Sequence, residues 1–262
     1  MIMKKTVSFL LLILLFGGAA WYSFMKPADP VHESPPPVIA PAPTVTREPS
    51  PPQPENTVGF EAEPVVPIEP LPVLNESDPE VKQALADIAG TDLMKQYLVT
   101  DQVISRVVAS IDSLTSRQVP AHINPVRPAK DKFLVDKEGE NLVLSERNFA
   151  RYDGYVAVLQ SMDADSLMTF YSRYSPLFQQ AWEQNGGLGS FEDRMLEVID
   201  DLLETPDVSG PVYLTKPEAV YVFEDPELEA MTAGQKVLVR MGSANAAVVK
   251  EKLAELRDQM NP

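Results

Sequence analysis

Cysteine is absent from the 262 residues, histidine and tryptophan occur twice each, and aromatic side chains make up only 8% of the chain. Without thiols there is neither a disulfide framework nor thiolate chemistry, so any folded region must stand on its own apolar core. A single histidine, His122, lies in the region with folding potential, which leaves too few ligands for a zinc site. Basic residues are also scarce, 22 against 38 acidic, for a formal net charge of −16. A chain this acidic is a poor neutraliser of nucleic-acid phosphates, and no nucleic-acid partner is expected.

What the chain does contain is unevenly spread. Residues 1–26 carry three basic and no acidic side chains, residues 27–72 carry one basic and seven acidic, and residues 73–262 carry 18 basic and 31 acidic. Of the 25 prolines, 15 fall within residues 27–72. The reading is therefore an N-terminal anchor at 1–26, a proline-rich disordered linker at 27–72, and an exported helical domain at 73–262.

Residues 7–25 (VSFLLLILLFGGAAWYSFM) hold no charge. At 1.5 Å per residue, a run of this length crosses about 30 Å of hydrocarbon. Lys4 and Lys5 precede it, so the positive-inside bias predicts a cytoplasmic N-terminus with everything after Lys26 on the other side of the membrane. Trp21 and Tyr22 sit where an interfacial belt belongs. The alternative is a cleaved signal peptide, with Gly18-Ala19-Ala20 as the small-residue cleavage point. The following linker, rich in segments such as Pro35-Pro36-Pro37, favours polyproline II and spans up to about 140 Å when fully extended. His32 lies within it without a second ligand nearby.

Beyond the linker, helical spacing dominates. Ser77-Asp78-Pro79 opens a helix carrying Val81, Ala84, Leu85 and Ile88 and ended by Gly90. A short helical piece follows, and Thr100 is placed to cap a longer one through Val103, Val107, Ile111 and Leu114. After a proline-broken loop, Phe133–Val135 and Asn141–Leu144 predict a hairpin around Asp136–Gly139. Ser145 is expected to cap a helix bearing Phe149, Tyr152, Val156 and Leu159. Asp163 caps the next, and Ser175-Pro176 restarts a further helix that stops at Asn185-Gly186-Gly187. Ser190 and Asp193 resemble a capping box before the stripe Phe191, Met195, Val198, Ile199 and Leu202. Two β-like runs, 212–214 and 219–223, precede a helical turn after Asp225-Pro226, another over 234–241, and a terminal helix capped by Ser243. The fold class is mainly α: a compact helical domain with one or two short β-hairpins, preceded by a single transmembrane helix and a disordered linker.

Several residue groups invite a chemical reading. The acids Asp193, Glu197, Asp200, Asp201 and Glu204 share one side of a helix, which is the pattern of a solvated face. Gly186-Gly187-Leu188-Gly189 precedes a helix, but no Lys-Ser or Lys-Thr follows, and Glu192 and Asp193 would repel phosphate. His122 has no Gly-x-Ser-x-Gly elbow to serve. Tyr152, Tyr155, Phe170, Tyr171, Arg173, Tyr174, Phe178 and Trp182 suit either a helical core or an aromatic groove for sugar or peptide. Lys236, Arg240, Lys250, Lys252 and Arg257 are placed to pair with the acidic helix face. Asp163, Asp165 or Glu192 are the carboxylates an envelope hydrolase would draw on. No catalytic, cofactor-binding or metal-ligating residue is assigned, and no cofactor is expected.

The segments LPVLNESDPEV, FARYDGYVAVLQSMDADSLMTFYSRYSPLFQQAW, GSFEDRMLEVIDDLLETP and YVFEDPELEAMTAGQKVLVRMGSANAAVVKEKLAEL together cover most of Leu71 to Leu256. They resemble the bacterial domain-of-unknown-function family numbered 3014. The resemblance implies one N-terminal span, a proline-rich stretch and a mostly helical exported domain, and it carries over no catalytic residue. The expected function is a non-enzymatic interaction or scaffold domain in the cell envelope. Its expected partners are the inner membrane through the N-terminal helix and an envelope protein or the cell wall, and the alternative is an envelope hydrolase acting on cell-wall glycan or peptide.

Overall fold

The computed structural model describes residues 70–260 apart from 100, 130 and 219. The expected span at 7–25 and nearly all of the linker lie outside the described residues. Among those described, no helix is long and apolar enough to cross a membrane. The described part is mainly helical with a small antiparallel sheet.

A one-turn 3-10 helix, Leu74–Glu76, leads into α1 (Asp78–Ala89) and α2 (Thr91–Tyr97), separated by Gly90 at φ +93°. Ser77 occupies the N-cap position of α1, yet its hydroxyl turns back to donate to the Leu74 carbonyl at 2.8 Å. Helix α3 runs over Val103–Ser113. Thr100, its expected cap, lies outside the described residues. The first turn is capped from a distance: Asp78 accepts hydrogen bonds from the main-chain N–H groups of Gln102 and Val103 at 2.7 and 2.9 Å. This satisfies two orphan donors of a helix start with a side chain from α1.

The hairpin forms, with its strands shifted toward the turn. β1 (Val135–Glu138) and β2 (Asn141–Leu144) pair Glu138 with Asn141, so the connection is only Gly139-Glu140, with Gly139 at φ +65°. Two-residue hairpin turns demand positive φ, which glycine adopts at least cost. β3 (Tyr213–Thr215) then adds to β2, and β4 (Val222–Phe223) to β3. The two strand pairs expected separately thus form one sheet ordered β1-β2-β3-β4.

Ser145 starts a 3-10 helix, Glu146–Arg151, rather than an α-helix, and α4 (Asp153–Ser161) follows. Asn148 explains the tight turn. It is fully buried, its Oδ1 accepts from the Leu134 N–H at 2.9 Å, and its Nδ2 donates to the carbonyls of Leu134 and Ser145 at 2.7 and 2.9 Å. The side-chain amide thereby replaces a strand partner for Leu134.

Helix α5 (Ala164–Gln184) begins at the Asp163 cap and passes without a break through Pro176. The sequence pattern had divided it in two. Proline removes one intrahelical bond to the Ser172 carbonyl, and Ser175 Oγ donates to that same carbonyl at 3.2 Å. The buried stripe of Leu167, Phe170, Tyr171, Tyr174, Leu177, Phe178, Ala181 and Trp182 keeps one face on both sides of the proline, so burial outweighs the lost bond. Helix α6 (Phe191–Leu203) starts at Ser190, whose hydroxyl accepts from Glu192 and Asp193, and its five stripe residues are all buried. The chain closes with α7 (Pro226–Ala230), α8 (Ala233–Arg240) and α9 (Ser243–Met260). Thr232 and Gln235 form a reciprocal capping box at α8 that the sequence reading overlooked.

The main core lies where α5 packs on α3 and α1, and where α9 packs on α6 and α4. A smaller core of Leu144, Leu214, Phe223 and Val239 joins the sheet to α8. One polar clasp closes α1 on α5: Glu80 Oε1 accepts from Arg173 Nη2 at 2.8 Å and from the Tyr174 hydroxyl at 2.9 Å. The Arg173 hydrogen bond holds the Glu80 carboxyl below its ordinary 4.5, outweighing the opposing effect of desolvation. A carboxylate depressed in the folded state adds stability above its unfolded pKa and loses it as pH falls through the folded value. Stability from this clasp is therefore expected to fade as pH falls below about 4.5. The gap in Tm between the native chain and Glu80→Gln should shrink on going from about pH 6 to about pH 3, and a constant gap would refute the linkage.

Candidate functional site

A cleft of about 740 Å³ lies between the sheet, the α8–α9 junction and the segment from Thr205 to Val212. That volume is in the range of small-ligand and short-peptide sites. Local sequence builds the wall. Thr205 Oγ1 closes the end of α6 by donating to the Leu202 carbonyl at 2.7 Å, Pro206 prevents another turn, and Gly210 takes φ +94° before Pro211. The resulting strap is tied at both ends. Lys250 of α9 pairs with Asp207 at 2.9 Å, and the Leu144 N–H donates to the Val212 carbonyl at 2.9 Å.

The floor is aliphatic, made by Val143 and Leu144 of β2, Leu238 and Val239 of α8, and Ala246 of α9. The opposite rim is polar. Arg147 Nη2 pairs with Asp136 at 2.8 Å, and Arg147 Nε donates to the buried Ser145 hydroxyl at 3.2 Å. The Ser145 hydroxyl and then the Arg147 guanidinium hold the exposed Asp136 carboxyl below its usual range. The arrangement is chemically a clamp: an apolar floor for contact area and fixed polar tips for orientation.

Apart from Lys250, the residues given a chemical reading from the sequence fall elsewhere. Tyr152, Tyr155, Phe170, Tyr171, Tyr174, Phe178 and Trp182 are all buried in the main core, so the aromatic groove does not exist. Ring stacking holds them, with Phe178 5.7 Å from Tyr171 and 6.2 Å from Phe191 between centroids. Burial pushes the Tyr171 phenol up. Gly186 to Gly189 form the turn between α5 and α6, and Gly187 lies flat against Trp182, where a Cβ would come within 2.0 Å of the indole. His122 is exposed in the 3-10 turn Ala121–Ile123, and its carbonyl accepts from Arg106.

The acidic face of α6 is partly consumed in packing. Asp200 pairs with Arg257, and Arg194 bridges Asp112 and Glu197 at 2.8 and 3.0 Å. Asp201 accepts from Thr232 Oγ1 at 2.8 Å, while burial raises its carboxyl above the ordinary value. Of the C-terminal cations, Arg257 reaches that face as expected. Lys250 holds the strap, Lys252 pairs with Glu255 in its own helix, Arg240 lies 4.9 Å over the Phe223 ring, and Lys236 is buried against Glu229. Asp163 and Asp165 sit at the start of α5, whereas Glu192 follows Phe191, whose N–H donates to Gln179 far along the same helix. Among the described residues no group of three or more His, Asp or Glu side chains gathers to hold a metal ion.

The polar clamp was missed because Ser145 reads as a cap and Asp136 as a turn residue. The only sequence signal was the pairing of Pro206 and Pro211 around Gly210, which marks a constrained strap. No curated protein and no solved structure matches the chain. A family model described as a protein of unknown function, DUF3014, matches residues 103–257. That stretch takes in α3 through most of α9, the smaller core, most of the main core and every element that lines the cleft, and the chain belongs to the DUF3014 family.

Proposed function

We propose that the chain is a membrane-anchored interaction domain of the bacterial cell envelope, held by residues 7–25 in the inner membrane with its helical part in the periplasm. The uncharged 19-residue run and the 15 prolines of the linker support this placement. The observation that carries the interaction role is the strapped cleft, with aliphatic side chains beneath and opposed ion pairs on its rim. Such a surface gains affinity from apolar contact and specificity from fixed polar groups. The partner we infer is an envelope protein or a cell-wall component.

The test is crosslinked pull-down of the full-length chain from cells. Ser243 is exposed at the cleft mouth, so Ser243→Trp adds bulk there without disturbing either core. Partner recovery should fall about tenfold or more, with Tm unchanged. Undiminished recovery with the variant, or no reproducible partner for the native chain, would rule out the cleft as the contact surface.

A further inference from the structure

A second cleft of about 670 Å³ lies on the other side of the 3-10 helix, between α2, the 127–131 loop and the start of α4. Its charge is opposite to that of the domain around it. Lys95, Arg127, Arg147 and Arg151 line it with Asp131 as the one carboxylate, although residues 73–262 carry 31 acidic against 18 basic side chains. Arg147 is already paired with Asp136, but neither Lys95 nor Arg127 makes an ion pair among the described residues.

Neutral acceptors help to fix two of the arginines. Arg127 is held on three sides: its N–H donates to the Tyr97 carbonyl at 2.7 Å, its carbonyl accepts from the Tyr155 hydroxyl at 3.0 Å, and its Nε donates to the Leu98 carbonyl at 3.4 Å. Arg151 donates to Asn148 Oδ1 at 3.5 Å and to the Asp131 carbonyl at 3.2 Å. Burial pushes the Tyr155 phenol up to about 12, so it stays a donor to Arg127 throughout the physiological range. Gly154 leaves room for the Tyr97 hydroxyl, which a Cβ there would meet at 2.1 Å. Fixing an arginine through its backbone and Nε removes in advance much of the rotamer entropy that anion binding would otherwise cost.

We propose that this cleft binds a small multivalent oxyanion, carrying phosphate or clustered carboxylate groups. Guanidinium groups match both geometrically, and two or three positioned cations favour a ligand with more than one charge. The acidic surface beyond the cleft repels a long polyanion, which selects for a ligand that fits wholly inside. This proposal does not depend on the strapped cleft, because Lys95 and Arg127 line only the basic one.

Full-length chain in detergent micelles should be titrated calorimetrically at low salt with sodium tripolyphosphate and, in parallel, with citrate. Saturable binding of at least one is expected, the tighter probe identifying phosphate or carboxylate as the natural group. Lys95→Ala combined with Arg127→Ala should weaken it about tenfold or more, since both lost contacts are charge-assisted. Alanine at 127 keeps the two main-chain bonds, so Tm should hold; Lys95→Glu alone provides a second, exposed variant that should also weaken binding. Asp131→Asn should strengthen it a few-fold. Absence of saturable binding to both probes, or equal affinity in the double variant, overturns the proposal. So does tighter binding of a DNA oligonucleotide than of tripolyphosphate, because that ligand cannot lie within the cleft.

Discussion

Glu229→Ala is expected to destabilise the domain by about 3–5 kcal/mol, the range for removing one partner of a buried ion pair. Lys236 Nζ lies 2.6 Å from Glu229 Oε1, with side-chain exposures of 4% and 28%. The other carboxylate oxygen accepts from the Phe223 N–H at 2.9 Å, so one side chain joins α7, α8 and β4. Alanine removes the counter-charge of a buried ammonium and leaves the Phe223 N–H without its acceptor. Urea unfolding should show the lowered midpoint, and Tm should drop by roughly 10 °C. Glu229→Gln separates the two roles, since its amide oxygen can still accept from Phe223 while the charge is gone; an intermediate loss is expected. Combining Glu229→Gln with Lys236→Met should recover most of the stability, because removing both charges ends the desolvation penalty. A single-variant loss below about 1 kcal/mol would mean that the pair is solvated and the link between sheet and helices lies elsewhere.

Phe178→Ala should cost a comparable amount, about 3–5 kcal/mol. The ring is fully buried at the centre of α5 and lies within 6.3 Å of the rings of Phe170, Tyr171 and Phe191. Truncation loses the transfer free energy of the ring and opens a cavity that the aromatic neighbours, pinned on two helices, cannot collapse into. Phe178→Leu keeps most of the volume and should cost roughly half as much. The measurement is the urea midpoint followed by tryptophan fluorescence, to which Trp182, 6.0 Å from Phe191 in the same cluster, contributes along with Trp21. Equal losses for alanine and leucine would point to ring stacking rather than volume as the main contribution.

Local rules account for much of what was legible. The caps at Asp163, Ser190 and Asp225, the stripe of α6, the glycine stops at 90 and 186 and the hairpin near 139 were all readable because each depends on residues within one turn or one strand pair. The misreadings share the opposite property. The cap of α3 comes from Asp78, 24 residues earlier, and β3 finds β2 across some seventy residues, so no window of sequence contains both partners. Pro176 looked like a helix start because its local cost is real, but the cost is outweighed by apolar burial on both sides of it. The aromatic group could be core or groove on spacing alone, since a stripe has the same period whether it faces protein or ligand.

The candidate sites divide in the same way. Composition alone determined that thiol and disulfide chemistry are impossible and that 15 of the 25 prolines fall within residues 27–72; spacing determined that the domain is mainly helical. Only the tertiary structure decided which charges meet. It buried Lys236, spent three acids of α6 on arginines and a threonine, strapped one cleft with Lys250 and Asp207, and gathered Lys95, Arg127 and Arg151 into a basic cleft on an acidic domain. The physical reason is range. Helix propensity, capping and amphipathic period act over a few residues and are written in order along the chain, whereas charge pairing and cleft formation depend on distances of a few ångströms between segments that the chain order does not bring together.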